Sequence, residues 1–392
     1  MSQYCILIHY HELALKRDNK TWFERIFQTN IKQQIEGLPY KNINTYASRV
    51  FIYGIDENKW DDYKHKLKNV MGLKNALLVQ KINAEVDLMK STVSNIISNL
   101  KFDTFRITTK RQDKGFKFTS QEINKIIGAE VNEAANKSVS LKNPELNIII
   151  EIVRGQAFIG HNKIEGYGGL PNGSGEIAVS LLSSGIDSPV ASFQILKRGV
   201  TLIYVHFHSA PVTNKQSIIN CQNIINTLSN FQNKSILYMY PILKIQKIIM
   251  DKIDDKFWII MFRRVMVKLS CMLASELGAK ALVTGENIGQ VSSQTLSNIH
   301  AISGISNLPI LRPLAGHTKE EIINIAKNIE TYEYSIAPHQ DCCSFFLPLH
   351  PELKANIHKI EAMETKLKLE NIYSEIIQNR EIYQTWKLYL GM

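Results

Sequence analysis

No stretch of the sequence reaches the ~18 uninterrupted apolar residues that a bilayer-crossing helix requires. The apolar segment Trp258 to Leu273 is broken by Arg263, Arg264 and Lys268, so a membrane-spanning helix is excluded. The start, Met1-Ser2-Gln3-Tyr4-Cys5-Ile6-Leu7-Ile8-His9-Tyr10-His11-Glu12, lacks a basic n-region and has too short an apolar run for a signal peptide. The expected compartment is the cytoplasm. Five cysteines in 392 residues are too few for a disulfide framework. Cys5, Cys221 and Cys271 sit in apolar surroundings that suit a small buried side chain, whereas Cys342 and Cys343 stand in a polar one. Neighbouring cysteines rarely form a structural disulfide and lack zinc-ligand spacing, which leaves a reactive thiol as the sharper reading of that pair and small buried residues as the plainer one. Internal repeats and low-complexity tracts are also missing.

What is present is a chain with 44% hydrophobic residues and a formal net charge of +10. Lys and Arg outnumber Asp and Glu by 25 to 18 over residues 1–170 and by 21 to 18 afterwards. The surplus is N-terminal and favours a polyanionic partner there, or else a solvated surface. Residues 4–10 read as a strand, Trp22 to Ile35 as a helix and Arg49 to Tyr53 as a strand, which makes a small α+β unit. A second α+β stretch follows, with strands at Phe105 to Lys110 and Asn147 to Val153 and a helix from Ser120 to Ala134. Gly160, Gly166, Gly168, Gly169, Pro171, Gly173 and Gly175 mark a linker. Beyond it, strands at 178–182, 201–207, 236–240 and 281–285 alternate with helical segments, the pattern of a doubly wound parallel sheet, and residues 353–390 read as closing helices.

The segment Ala178 to Ala191, AVSLLSSGIDSPVA, combines a buried strand, a turn of small residues and a helix opened by Pro189. Backbone N–H groups from Ser183 through Ser188 then face outward at the positive end of a helix, which suits pyrophosphate. No Gly-Lys-Ser/Thr follows, so the turn is not a Walker loop. It resembles instead the PP-loop of ATP pyrophosphatases, Ser-Gly-Gly-x-Asp-Ser, with Ser184 where the first glycine usually stands. Ordinary turn-and-helix packing is the plainer alternative.

Other constellations fall at the same carboxyl edge of that sheet. Thr284 to Thr295 follows a strand directly and carries Gly285, Glu286, Gly289, Gln290 and Gln294, groups able to approach and orient a ribose, a base or magnesium. Thr318 and Glu321 form a capping box that puts Lys319 in the first turn of a helix. A cation there opposes the helix dipole by about 0.3–1 kcal/mol, a cost offset by an anion in the site or by Glu320 and Glu321. Arg263 and Arg264 interrupt an apolar helix and can reach phosphate or snorkel. Upstream, Arg106, Lys110, Arg111, Lys114 and Lys117 are interleaved with Phe105, Phe116 and Phe118, pairing charge with stacking faces as an RNA surface does. Lys16 joins these as an RNA-contacting candidate.

Together these segments, with Val205-His206-Phe207-His208-Ser209, Leu311-Arg312-Pro313-Leu314 and Asp341-Cys342-Cys343, closely resemble the tRNA uracil 4-sulfurtransferase (4-thiouridine synthetase) family. Thr108 to Lys114 and Lys142-Asn143-Pro144 look like its THUMP domain. The resemblance implies a ferredoxin-like domain over 1–58, a THUMP domain over 59–165, a linker over 166–177 and a PP-loop pyrophosphatase domain over 178–392. It implies a reaction in which ATP, with Mg2+, adenylates O4 of the uridine at position eight of tRNA, and a protein persulfide, charged by a cysteine desulfurase, supplies sulfur. By motif match, Leu181, Leu182, Ser183, Ser184, Gly185, Asp187, Ser188, His206, Phe207, Arg263, Gly285 and Gln294 surround ATP. Asp187 and Lys319 serve adenylation, and Cys342 holds the transferred sulfur, with Cys343 a candidate to resolve the persulfide. The expected partners are tRNA and the desulfurase, and a homodimer is compatible with the family. The sequence departs from the family at Ser184 and at His9-Tyr10-His11-Glu12, where Arg-Tyr-Gly-Glu is usual. It also leaves no room for the rhodanese domain of some members, so direct hand-over of sulfur to Cys342 and no role in thiazole formation are expected. Two alternatives stay open: a PP-loop enzyme of the 2-thiolation or lysidine type, and a non-catalytic tRNA-binding protein with a decayed loop.

Overall fold

The computed structural model describes residues 3–338, 340, 346 and 348–386. The chain divides into two compact units, Met1–Pro171 and Asn172–Leu390.

In the first unit the strands are β1 (Gln3–Tyr10), β2 (Asn42–Tyr46), β3 (Arg49–Tyr53), β4 (Leu73–Asn83), β5 (Thr104–Arg111), β6 (Ser138–Val139), β7 (Leu146–Val153), β8 (Gln156–Gly160) and β9 (Lys163–Glu165). Among the described residues they form one sheet in the order β2-β3-β1-β4-β8-β7-β5-β6, with β9 also on β4. Only β5 pairs in parallel, with β6 and β7. Four helices cover one face: α1 (Lys20–Gln34), α2 (Trp60–Lys68), α3 (Val86–Ile97) and α4 (Ser120–Ala135). Phe23, Phe27 and Ile31 of α1 recur at four-residue spacing and share a core with Trp60, Tyr63 and Leu67 of α2 and Ile6, Ile8 and Ile52 of the sheet. Met89 and Val93 of α3 and Ile123, Ile127 and Val131 of α4 pack on Ile107, Ile148 and Ile150. A Thr119–Glu122 capping box starts α4, and Asn136 in the left-handed conformation ends it.

The second unit holds β10 (Ile177–Leu181), α5 (Asp187–Leu196), β11 (Thr201–His208), α6 (Gln216–Gln232), β12 (Lys234–Pro241), α7 (Leu243–Lys252), α8 (Trp258–Leu277), β13 (Ala281–Val283), α9 (Leu296–Ser303), β14 (Ile310–Leu311), α10 (Lys319–Asn328), α11 (Tyr332–Ile336), α12 (Ile357–Leu367), α13 (Glu370–Gln378) and β15 (Glu381–Trp386). The sheet order is β14-β13-β10-β11-β12-β15. All its neighbours are parallel except β12 and β15. Val179 and Val205 face the core that Ile245 of α7 and Phe262 of α8 fill, while Ser180, next to Val179, meets Ser192 of α5 on the other face. The sheet is therefore wound on both sides, as expected. One expectation fails: 353–390 is not all helix, because Glu381–Trp386 closes the edge of β12 as an antiparallel strand with Tyr238 opposite Ile382. Ile382, Tyr383 and Thr385 are residue types that favour a strand, and the open backbone groups of β12 give it a partner. No helix among the described residues is long and apolar enough to cross a membrane.

On the helix-free face of the first sheet, an acidic group is buried where residues of five strands meet. Glu151 is fully buried on β7; Arg49 Nε of β3 lies 2.5 Å from Oε2, His9 Nε2 of β1 2.8 Å from Oε1, and Lys110 Nζ of β5 3.7 Å away. Asn75 of β4 completes the group, its Oδ1 2.7 Å from His9 Nδ1. Burial raises the Glu151 carboxyl, but the hydrogen bond and charge of His9 together with Arg49 outweigh it and hold the group below the usual carboxylate range. A depressed folded value stabilises the protein above the unfolded carboxyl pKa of about 4.3, and the contribution is lost as pH falls through the folded value. Replacing Glu151 by Gln leaves Arg49 and His9 facing each other without a counter-charge. The substitution should cost about 3–5 kcal/mol in urea unfolding at pH 7, and the gap to the wild type should narrow steadily as the pH is lowered from 5 to 3. A gap that does not change with pH would show that the cluster is held by packing alone.

Candidate functional site

The turn between β10 and α5 is built by serines. Ser188 Oγ accepts from the backbone N–H of Ser183 at 2.9 Å and donates to Ser183 O at 3.1 Å, which closes the loop on itself. Ser192 Oγ donates to Ser188 O at 2.8 Å and lies 2.8 Å from Ser180 Oγ, tying the first turn of α5 back to β10. Ser184 is fully buried, and its φ is outside the left-handed region that would demand glycine. The loop therefore carries a Cβ at this position without backbone strain. The amides of the first turn of α5 have no intrahelical acceptor and point toward the carboxyl edge of the sheet, the arrangement that attracts an anion.

Next to this turn lies a cavity of about 170 Å³ whose wall includes Leu181, Leu182, Ser183, Asp187, Ser188, His206, Phe207, Arg263, Gly285 and Gln294. Of the residues expected around ATP, Ser184 and Gly185 alone stand outside the lining. The wall also contains Met266 and Thr284, which the motifs did not single out, and Glu286, which the segment after β13 offered as a group able to orient a ribose, a base or magnesium. Gly285 is required by proximity, since a Cβ there would fall 2.7 Å from Ser188 N and 2.8 Å from Ser188 Cα. His206 Nδ1 lies 2.9 Å from Leu182 O, which fixes the ring plane in the wall. Glu286 sits between two guanidinium groups, 2.6 Å from Arg312 Nε and 3.3 Å from Arg263 Nη1, and takes a third contact from Thr284 Oγ1 at 3.1 Å. Its near-complete burial is repaid by these partners, and it aims Arg263 at the cavity. Arg264, the neighbour, does other work: it is buried and donates to Ala301 O and Glu364 Oε2.

Asp187 and Lys319 meet across the N-termini of α5 and α10. Lys319 Nζ stands 2.6 Å from Asp187 Oδ1, and Gln290 Nε2 donates to Oδ2 at 2.9 Å. The Thr318–Glu321 capping box is present as read from the sequence. The anion that offsets a cation in the first turn of α10 is thus Asp187, which joins two helix N-termini at one charged spot. Among the described residues no group of three or more His, Cys, Asp or Glu side chains could hold a metal ion.

The remaining expected residues are spread more widely. Cys342 and Cys343 lie outside the described residues. Among the described residues before them, Ser335 Oγ is 3.4 Å from Gly185 O in the serine turn, and Gln340 Oε1 accepts from the Asn214 amide at 3.2 Å. Cys5, Cys221 and Cys271 are buried, and burial pushes the Cys5 thiol up to about 12. In the first unit, Arg106 and Lys110 alternate on one face of β5, with Arg106 Nη1 donating to Leu141 O at 2.9 Å. Arg111 turns away to Phe116 O, Lys114 is exposed, Lys117 lies over the Phe118 ring, and Lys16 lies over Phe23. Phe105 offers no stacking face, because it is buried in the core beneath α3 and α4. Phe116 and Phe118 lean on that same core.

Comparison with known proteins fits this geometry. A family model described as "Thiamine biosynthesis protein (ThiI)" matches residues 173–369, a THUMP domain model matches 83–162, and a ThiI ferredoxin-like domain model matches 5–76. A probable tRNA sulfurtransferase of Thermus thermophilus is 33% identical over 378 residues, covering 96% of this chain and 93% of its own length. One of Alkaliphilus oremlandii is 36% identical over 383 residues, covering 96% and 97%. A crystal structure of a 4-thiouridine synthetase–RNA complex with bound ATP superimposes with a TM-score of 0.86 at 34% identity, covering 97% of this chain and 99% of the other. A parallel α/β sheet with a PP-loop at its carboxyl edge, preceded in the same chain by a THUMP domain, defines a THUMP-bearing PP-loop protein. Within that class, the chain belongs to the ThiI family.

The contact between Gly285 and the start of α5 makes a direct test of the cavity. Gly285→Ala should push Ser188 and the serine turn aside, at a cost of about 1–3 kcal/mol for an overpacked site. Calorimetric titration with ATP should show affinity weakened at least tenfold. Unchanged ATP affinity would place the nucleotide elsewhere.

Proposed function

We propose that this protein transfers sulfur, at the expense of ATP, to the uridine at position eight of tRNA, forming 4-thiouridine. The observation that carries the reading is the cavity at the carboxyl edge of the second sheet, which joins a serine-closed PP-loop, Arg263 and the Asp187–Lys319 pair at one anion-attracting place. Its support is a full-length likeness to a synthetase captured with RNA and ATP.

In this reading the amides of the turn and the first turn of α5 receive the triphosphate, and His206, Phe207 and Gln294 enclose the nucleoside. Mg2+ would travel with the phosphates and neutralise part of their charge, and Asp187 is the carboxylate that would hold it. Lys319, released from Asp187 by the incoming charge, stabilises the departing pyrophosphate. The uracil O4 attacks the α-phosphorus, pyrophosphate leaves, and C4 then carries AMP as its leaving group. The terminal sulfur of a persulfide on Cys342, loaded by a cysteine desulfurase, attacks C4 and AMP departs; the Cys343 thiolate then attacks the Cys342 sulfur, breaking the S–S bond to release 4-thiouridine and leaving a Cys342–Cys343 disulfide that an external dithiol reduces. The first unit supplies the tRNA contact through Lys16, Arg106, Lys110, Arg111, Lys114 and Lys117, whose charges pair with phosphates. The domain limits 1–58, 59–165 and 178–392 belong to the same proposal.

The test is sulfur incorporation into unmodified tRNA with purified desulfurase, cysteine and ATP, read by nucleoside mass and by mapping of the modified position. The expected product is 4-thiouridine at position eight. Cys342→Ser should abolish thiolation and spare RNA-dependent pyrophosphate release, while Lys319→Ala should reduce that release by about 10²–10³-fold. Ser184→Gly should leave turnover within a few-fold, because the serine imposes no backbone strain. A 2-thiolated or lysidine-bearing anticodon would reject the assignment, and so would full activity of Cys342→Ser.

A further inference from the structure

A second cleft opens beside the nucleotide cavity, on the same strand end, and none of the roles above uses it. His206 and Phe207 of β11 line the first cavity, and His208, the strand's last residue, lines the second, a space of about 620 Å³. This volume falls in the range of small-molecule sites. Its deep surface is polar. His208 is 7% exposed and Thr213 1% exposed, and neither ring nitrogen of His208 nor the Thr213 hydroxyl has a hydrogen-bond partner among the described residues. The rest of its wall is mixed: Pro211, Ile218 and Ile219 line it, Ile219 being 46% exposed despite its size, together with Asn214, Lys215, Gln222 and Glu381. Gln340, two positions before Cys342 in sequence, accepts a hydrogen bond from Asn214 in the same lining.

Three orphaned polar atoms at the bottom of a cleft whose wall mixes apolar and polar side chains call for a ring with an apolar face and with donors and acceptors on one edge. We propose that this cleft is the subsite for the target uracil, with His208 and Thr213 reading its N3–O4 edge. The assignment rests on the sulfurtransferase reading and deepens it.

The chemistry matches the ring's edge. Burial first, then the charges at His206 and Lys215, push the His208 imidazole down to about 4, so it is neutral near pH 7 and offers one N–H donor and one bare nitrogen. The bare nitrogen accepts from uracil N3–H, and the Thr213 hydroxyl donates to a uracil carbonyl. Cytosine has no proton at N3, so it offers nothing to the bare nitrogen and has no N3 proton to give up, whereas the Thr213 hydroxyl, able to donate or accept, does not itself discriminate. When O4 attacks the α-phosphorus, the O4–P bond forms and the bond from phosphorus to the pyrophosphate oxygen breaks. The N3–H electron pair closes the C4=N3 double bond, and the proton passes to His208. His208 thus touches the reacting base and takes the proton that adenylation releases.

Two measurements test this. Full-length protein is mixed with ATP and tRNA carrying 4-thiouridine at position eight, irradiated in the near ultraviolet, and digested. Crosslinks are expected in the peptides spanning residues 208–222, and crosslinks confined to other peptides overturn the proposal. Separately, His208→Ala and Thr213→Val should each lower RNA-dependent pyrophosphate release, by about 100-fold and tenfold, with ATP and tRNA dissociation constants within twofold of the wild type. Thr213→Val keeps the side-chain shape and serves if His208→Ala fails to fold. Wild-type rates in both variants overturn the assignment. So does normal pyrophosphate release joined to a defect seen only with desulfurase-delivered sulfur, which would make the cleft a docking place for the donor protein. A wild type that releases no pyrophosphate with any tRNA sinks the sulfurtransferase reading itself; wild-type turnover with unaffected variants sinks the uracil subsite alone.

Discussion

Two backbones touching at Gly285 and Ser188 set the geometry of the whole carboxyl edge. The parallel register of β10 with β13 already brings their ends side by side, and the missing Cβ at Gly285 lets the loop after β13 rest directly on the first turn of α5. From that contact the other placements follow. Glu286, the next residue, is delivered to Arg263 and Arg312, and Gln290, further along the same loop, reaches Asp187. Asp187 in turn holds Lys319 from α10. A side chain at residue 285 would move all of these together, because proteins pack too densely for one backbone to shift alone.

Each unit organises its cations around one buried carboxylate. In the first, Glu151 gathers Arg49, His9 and Lys110 from three different strands; in the second, Glu286 gathers Arg263 and Arg312 from a helix and a loop. The physical logic is the same. Guanidinium groups left to themselves near a phosphate site repel one another and adopt many rotamers, whereas a shared carboxylate fixes their direction and cancels part of the repulsion. The cost is desolvation of the acid, which is tolerable because every buried carboxylate oxygen faces a cation or a hydroxyl.

How much of this could be read from the sequence depended on whether the deciding contact was local. The alternation of buried strands, the Pro189 helix start and the Thr318–Glu321 box are short-range signals, and each appears where the pattern put it, with boundaries shifted by a residue or two. That Leu181, Asp187, His206, Arg263 and Gln294 line one cavity was legible for the same reason: its wall is made mainly of strand ends and the turns that follow them. Long-range facts were not legible. Glu381–Trp386 carries β-favouring residues, but what makes it a strand is the open edge of β12, a partner far away in sequence that no local pattern identifies. Phe105 looked like a stacking face because it alternates with cations, but alternation in a strand sends neighbours to opposite faces, and its face is the core. The pairing of Glu286 with two arginines joins positions 23 and 26 residues away and needed coordinates.

The end of β11 shows how a strand can report function through what it spends. Leu202, Tyr204 and Val205 are buried in the manner of a central parallel strand, and stability alone would continue with apolar residues to the tip. Instead the tip carries His206 and His208 two residues apart on one face, both buried. His206 recovers part of its desolvation through Leu182 O, and its position is explained by the wall of the nucleotide cavity. His208 recovers none from the described protein groups, so the folded chain carries an uncompensated burial of about 1–3 kcal/mol there. Net stabilities of whole domains are of order 5–15 kcal/mol, so such a residue is a considerable burden. Such a burden beside the cavity at the carboxyl edge is what a polar ligand would relieve, and under the proposed reaction that ligand is the base to be activated.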